Sequence, residues 1–349
     1  MKKVLVLFGG VSSEHDVSVT SASYVIRNIP ADKYEVVMMG ITKEGQWYLY
    51  TGSPDALPED GWLRDKTNLT PAVLSPDRSH HGILVNGSTV IRIDIAFPVL
   101  HGKNGEDGTM QGLLALSGIP YVGCDTLSSA MCMDKAVTNT VADYYGIAQA
   151  KWRCVQRYSF EKNPDPVLDE AIAYLGFPIF VKPANAGSSV GISKAKSREE
   201  LLTAIRKAFV HDPKVVLEEG IEGHEVECAV MGNEEPVAST VGEIEPCNEF
   251  YDYDAKYFAD SKLHIPALLD ADKIEEVRAA ACSAYKALGC TGLARVDFFV
   301  RKSDGAVLLN EPNTLPGFTS ISMYPKLFAA SGIGYSDLLD RLLTLAEER

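Results

Sequence analysis

The sequence predicts an α/β protein of three packed units, and three observations predict it. Short apolar runs ending in glycine or polar residues alternate with helix-patterned stretches, beginning at residues 4–8. That alternation continues to the last residues. The 349-residue length exceeds what one core of roughly 100 to 150 residues fills. The expected units span 1–123, 124–218 and 219–349.

In chain order, residues 4–8 read as a first strand entering Gly9-Gly10, followed by a helix over 18–28 and a second strand over 35–41, which is a βαβ unit. The Asn86-Gly87 pair is a hairpin turn between two short strands. Residues 93–100 make a buried strand entering a loop, 101–108, that holds three glycines. Residues 134–145 are helical in pattern. Strands follow over 151–155, 179–182, 191–195 and 215–219, with helices near 167–175 and 201–209. Ser197 and Glu200 form a capping box for the last of these. From residue 225 come longer strands, a helix over 272–288 and a hairpin over 293–313.

Composition removes several function classes. Hydrophobic residues make up 46% and charged residues 23%, so neither disorder nor a fibrous repeat fits. A formal charge of -14 without a Lys/Arg cluster would repel nucleic acid and anionic lipid. The partners expected are small molecules, with no nucleic acid and no membrane. Seven cysteines without a CxxC pair argue against a disulfide framework or a zinc site. Only five apolar residues precede Gly9-Gly10, too few for a signal sequence, so a cytoplasmic protein is expected.

The strongest chemical signal is the hairpin carrying Arg295, Asp297, Glu311 and Asn313. Centring its turn on Asp304 pairs Asp297 with Glu311 and Arg295 with Asn313. All four side chains then share one face. Two carboxylates and an amide suit Mg²⁺, or Mn²⁺ in its place, and the guanidinium could stabilise an oxyanion. On a surface the same residues would make an ordinary salt bridge. Phe298, Phe299, Val300, Val307, Leu308 and Leu309 place them in a core, where a metal is the simplest way to satisfy the acids. Two further patterns are weaker alone. Lys182 ends a strand before the loop Gly187-Ser188-Ser189-Val190-Gly191, able to wrap phosphates although it is no Walker A loop. Glu218, Glu219 and Glu225, separated by glycines, could read a nucleoside. His80, His81, His211 and His264 offer no metal spacing.

The order Lys135, Lys182, Glu218 to Glu225, then Arg295, Asp297, Glu311 and Asn313, resembles the ATP-grasp superfamily. Four stretches resemble D-alanine-D-alanine ligases within it: Gly9-Gly10-Val11-Ser12-Ser13-Glu14-His15-Asp16-Val17-Ser18, His101-Gly102-Lys103-Asn104-Gly105-Glu106-Asp107-Gly108-Thr109, Tyr251-Asp252-Tyr253-Asp254-Ala255-Lys256-Tyr257 and Asn313-Thr314-Leu315-Pro316-Gly317-Phe318-Thr319-Ser320. The match runs from residue 4 to about 345. It implies a three-domain ATP-grasp architecture with an N-terminal Rossmann-like domain, and a homodimer using ATP and Mg²⁺ on D-alanine.

Position by position, the resemblance puts Lys135, Lys182 and Lys256 on ATP phosphates. Glu218 and Glu225, with the backbone of Glu219 and Ile221, would bind adenine and ribose, and Asp297, Glu311 and Asn313 would hold Mg²⁺. Glu14 would take the ammonium of the first D-alanine, linked to Ser188 and Tyr257, with His101 near that substrate's carboxylate. Ser322 and Met323 would border the second D-alanine. Arg295 and the Gly317 N–H would hold the oxyanion, and the 251–262 segment would be a lid. Relatives that form D-alanyl-D-lactate replace the Lys-Tyr pair of that segment, and those that form D-alanyl-D-serine commonly carry Arg at the position of Met323. This chain departs from the family pattern at Pro312, expected to face outward or mark the strand's end, and at Ile321.

Overall fold

The computed structural model describes residues 1–187, 190–245 and 262–349 and arranges them in three sheets. In the first, β1 (Lys2–Gly9) lies between β2 (Tyr34–Ile41) and β7 (Ile95–Val99), both parallel to it. Val4 to Phe8 are fully buried because both sheet faces are covered. α1 (His15–Asn28) makes the crossover from β1 to β2, starting three residues before the expected helix. β3 (Trp47–Tyr50), the one-turn α2 (Gly61–Arg64), β4 (Leu69–Leu74), β5 (Gly82–Val85) and β6 (Thr89–Arg92) extend the sheet in antiparallel fashion to the order β6-β5-β4-β3-β2-β1-β7. The β5–β6 turn is at Asn86 and Gly87, with φ of 50° and 71°, a pair of left-handed positions that suits these two residue types. α3 (Thr109–Ser117) follows β7.

α4 (Thr126–Met133) and α5 (Lys135–Tyr145) lead into the second sheet. It contains β8 (Trp152–Gln156), β9 (Ile179–Pro183), β10 (Ser193–Ala195) and β11 (Lys214–Glu219) in the order β10-β9-β11-β8. The short α6 (Arg157–Lys162), α7 (Pro164–Leu175) and α8 (Arg198–Ala208) bury its apolar face. The Ser197 side chain accepts the Glu200 N–H, and the Glu200 carboxylate accepts the N–H of Lys196 at 2.7 Å, one residue short of the expected box.

The third sheet has the order β14-β13-β12-β15-β16, from β12 (Gly223–Gly232), β13 (Val237–Glu245), β14 (Lys262–His264), β15 (Gly292–Arg301) and β16 (Val307–Asn313), and α9 (Ala271–Ala287) packs on it. α10 (Met323–Ala330) and α11 (Tyr335–Glu347) then return to the first unit, where Leu338, Leu339, Leu342 and Leu343 join a core with Val4, Val6 and Val19. The Tyr34 hydroxyl donates to Asp340 at 3.0 Å across this seam. The return leaves residues 314–322 strung between the first and third units. No helix among the described residues is long and apolar enough to cross a membrane.

Candidate active site

The β15–β16 hairpin pairs Asp297 with Glu311 and Arg295 with Asn313, as the sequence predicts, but by a different route. Next to the turn, Val300 pairs with Val307 and Phe298 with Leu309, so the hairpin is centred half a residue before Asp304. A bulge at Asn310 takes up the difference. Pro312 is one residue from the end of this edge strand, where a missing N–H is tolerated, and its ring is buried rather than outward.

β12 brings a third acid that the sequence reading missed. Glu227 is directly opposite Asp297, so Glu311, Asp297 and Glu227 form a row across three strands. Like charges so placed repel unless cations compensate them. Arg295, one pleat away, donates from Nε and one terminal nitrogen to the two Asp297 oxygens, both at 2.7 Å, and its Nε is 3.1 Å from Glu227. Lys135 Nζ is 3.2 Å from Glu311 and donates to the Ala186 carbonyl at 2.9 Å. A metal is the simplest partner the sequence predicts for these acids, but in the structure Arg295 and Lys135 already compensate them. Burial works against the Arg295 charge, but Asp297 and Glu227 outweigh it and hold its pKa well above the ordinary range.

Asp297, Glu311 and Asn313 nonetheless fit a hard cation, as two carboxylates and an amide oxygen on one face. The Leu315 N–H donates to Asn313 Oδ1 at 3.2 Å and orients that amide. A tighter cluster, His15, Asp16 and Asp60, fits a metal poorly because Lys43 Nζ is 2.8 Å from Asp16 and 3.7 Å from Asp60. His15 instead spans Asp60 at 2.9 Å and the Gly10 carbonyl at 2.8 Å, fixing the first turn of α1.

The second sheet meets this row through its lysines. Lys182, at the end of β9, pairs with Glu218 at 2.6 Å and donates to Asn310 Oδ1 at 3.2 Å, so the bulge residue docks one sheet on the other. Burial opposes the Lys182 charge, yet Glu218 and Glu311 raise its pKa. The N-cap Asp134, which takes the N–H groups of Ala136 and Val137, orients the helix carrying Lys135. Glu219 is committed to Lys151, accepting its N–H on the side chain at 2.9 Å and donating its own N–H to the Lys151 carbonyl at 3.0 Å. Ile221 is half-buried in the link to β12, and Glu225 lies opposite Phe299 and Ile244.

From the first unit, Glu14 opens α1 and is 9% exposed. Two loops converge on its carboxylate. A Cβ at Gly102 would be 2.5 Å from Glu14 Oε2 and one at Gly187 3.0 Å, so only glycine fits at the first and the second is tight. His101 is buried, with Nδ1 2.9 Å from the Leu315 carbonyl, Nε2 3.3 Å from Ser21 Oγ and Glu106 at 3.6 Å. Burial lowers its pKa, but Glu106 and Glu14 raise it further, and burial raises that of Glu106. Both ring nitrogens face protein groups, so in this structure His101 ties the 314–322 loop to the first unit.

That loop carries Gly317 and Ser322. A Cβ at Gly317 would meet Ser322 Oγ at 2.7 Å, and Ser322 Oγ accepts the Thr319 N–H at 3.0 Å. Phe318 anchors the loop through an edge contact with Phe97 at 5.7 Å and an N–H bond to Ser21 at 3.3 Å. Met323, expected at the border of a subsite, is only 6% exposed, with its methyl packed over Gly242 in the core. The reason is its position at the first turn of α10, whose apolar face docks on β13. Ser188, Lys256, Tyr257 and the 251–261 part of the expected lid lie outside the described residues. Of the groups missed from sequence, Glu227 carried a signal, its two-residue spacing from Glu225 on one strand face; Asn310 carried none.

Two family models match the chain, D-ala D-ala ligase N-terminus over residues 3–124 and D-ala D-ala ligase C-terminus over 141–344. A D-alanine-D-alanine ligase of Caldicellulosiruptor bescii is 51% identical over 99% of this chain and 95% of its own length. One from Acetivibrio thermocellus is 49% identical over 100% of this chain and 96% of its own length. Among solved structures, the VanG D-Ala:D-Ser ligase of Enterococcus faecalis superposes with a TM-score of 0.92 at 46% identity, covering 99% of both chains. The D-alanine-D-alanine ligase of Coxiella burnetii gives 0.87 at 34% identity, covering 100% of this chain and 96% of its own.

Proposed function

The chain belongs to the D-alanine-D-alanine ligase family, and on that premise we propose that it joins two D-alanine molecules through D-alanyl phosphate. The products are D-alanyl-D-alanine, ADP and phosphate, and the dipeptide serves peptidoglycan precursor synthesis in the cytoplasm. The observation that carries this reading is the meeting of Lys135 and Lys182 with the Arg295, Asp297 and Glu311 row, with Glu14 set against Gly187, next to the Ala186 carbonyl that Lys135 holds. We also propose a homodimer with functional units at 1–123, 124–218 and 219–349.

A carboxylate acylates nothing until one oxygen becomes a leaving group, and phosphorylation by ATP makes it one. Glu14 binds the ammonium of the first D-alanine and so aims its carboxylate. Lys135 and Lys182 now neutralise Glu311 and Glu218. When the triphosphate arrives, these ammonium groups turn to its oxygens, with Lys256 beside them, and Glu218 and Glu225 turn to the nucleoside, where Glu219 and Ile221 offer backbone groups. Asp297, Glu311 and Asn313 would hold Mg²⁺, or Mn²⁺, which when bound neutralises charge on the transferring phosphoryl group. The amine of the second D-alanine attacks the acyl phosphate near Ser322. Arg295 and the Gly317 N–H hold the oxyanion, and losing one such donor typically costs about 2.7 to 4 kcal/mol of barrier. Ser188 and Tyr257 would bridge Glu14 to the 251–262 segment, which would exclude water from the acyl phosphate.

The likeness to a D-Ala:D-Ser ligase supports a second reading in which D-serine is the acceptor. Buried Met323 offers no polar group to a hydroxymethyl side chain, which favours D-alanine. Phosphate release measured over a panel of D-amino and D-hydroxy acids tests both. D-alanine alone should give full turnover, and a clear preference for D-serine or D-lactate as acceptor would overturn the assignment.

A further inference from the structure

We propose that Glu227 is a positioning residue that keeps Arg295 at the reaction centre once Asp297 has turned to a cation; the inference rests on the ligase reading. Arg295 and a divalent cation compete for one carboxylate. In the structure both oxygens of Asp297 are occupied by the guanidinium, at 2.7 Å each. A cation held by Asp297 and Glu311 would draw on at least one of those oxygens and weaken the bidentate fork. A guanidinium with only a shared partner would be free to swing away from the position where an oxyanion forms.

Glu227 is built to prevent this. It is 6% exposed, lies opposite Asp297 in the strand register, and has Oε2 3.1 Å from Arg295 Nε while the Nε–H is directed at Asp297. A small rotation of the guanidinium transfers that N–H to Glu227 without moving the arginine off its strand. On the other flank Gly242 faces Glu227, and the Met323 methyl fills the space that a Gly242 side chain would take, so the carboxylate sits against an apolar wall rather than water. Glu227 is too far along the row to replace Glu311 as the partner of Lys135, since Asp297 lies between them. Between these two cations its charge acts on Arg295, at 3.1 Å.

The test is Glu227→Gln, which keeps shape and removes charge. At saturating Mg²⁺, kcat for dipeptide synthesis should fall about tenfold or more, while Mn²⁺ affinity of the ADP complex, read by electron paramagnetic resonance, stays within about threefold of the parent's. Glu227→Asp, charged but shorter, should recover part of the loss. A kcat within about twofold of the parent's, or a loss that excess Mg²⁺ cures, or an equal loss of Mn²⁺ affinity, would overturn the proposal. Parent protein that makes no dipeptide in the same assay would count against the ligase reading. The role of Glu227 is then read separately, from whether Arg295 is displaced in a crystal structure of the Gln variant with ADP and Mg²⁺.

Discussion

Replacing Asp297 by Ala should damage the protein in two separable ways. It removes two 2.7 Å charge-assisted hydrogen bonds to Arg295 and one proposed cation ligand. Opposite charges about 4 Å apart attract by about 4 kcal/mol at an effective dielectric constant near 20. Removing one partner of a buried pair typically costs roughly 3 to 5 kcal/mol. Arg295 keeps Glu227 at 3.1 Å, so the loss should sit at the lower end, about 3 kcal/mol, and lower the unfolding midpoint by several degrees. Turnover at millimolar Mg²⁺ should vanish. Asp297→Asn separates the effects: its amide oxygen still accepts from Arg295, so the stability loss shrinks while the turnover loss remains. Thermal unfolding and coupled ADP release read the two. Parent-like turnover would show that the hairpin is not the cation site, and an unchanged midpoint in the Ala variant would show that the Arg295 pair compensates nothing.

Four further outcomes are expected. Gly102→Ala would put a Cβ 2.5 Å from Glu14 Oε2 at a φ of +69°, so KM for the first D-alanine should rise about tenfold with ADP binding unchanged; a parent-like KM would refute the crowding. Lys182→Met leaves Glu218 without its 2.6 Å partner and should raise KM for ATP far more than KM for D-alanine, and equal effects on both would count against a phosphate role. His101 has a pKa raised above its ordinary 6.5. The stability it adds is complete below that value and is lost as pH rises through the folded value, so His101→Gln should flatten the alkaline decline in urea midpoint; parallel declines in parent and variant would contradict this. D-alanine should beat D-serine as acceptor by about tenfold, because an unpartnered serine hydroxyl costs about 1 to 3 kcal/mol, and Met323→Arg should narrow the kcat/KM ratio.

The parts legible in the sequence were those decided locally. The apolar run into Gly9-Gly10, the Asn86-Gly87 turn and the helical pattern over 134–145 each predict their own element, and the structure has all three. Where a contact comes from another unit, the sequence was silent or misleading. α1 begins at His15 because its ring is bonded to Asp60, 45 residues away, and to the Gly10 carbonyl, a polar burial that hydrophobic periodicity does not register. The Asn310 bulge is set by twist and by docking on Lys182. Counting from the turn gave the right pairing only because the assumed centre was off by half a residue in the compensating direction. A metal is the simplest partner the sequence predicts for the acids because the hairpin alone shows only that they sit in a core, whereas the Lys135 ammonium on Glu311 comes from a distant helix. The burial of Met323 against Gly242 was not legible, because helix docking, which decides which way its side chain turns, is a tertiary property.

The most direct test incubates the purified protein with ATP, Mg²⁺ and D-alanine and follows nucleotide and dipeptide together. The proposed acyl-phosphate route predicts equimolar D-alanyl-D-alanine, ADP and phosphate, with neither ADP nor dipeptide when D-alanine is omitted. Release of AMP and pyrophosphate, or ATP consumption without dipeptide, would contradict it.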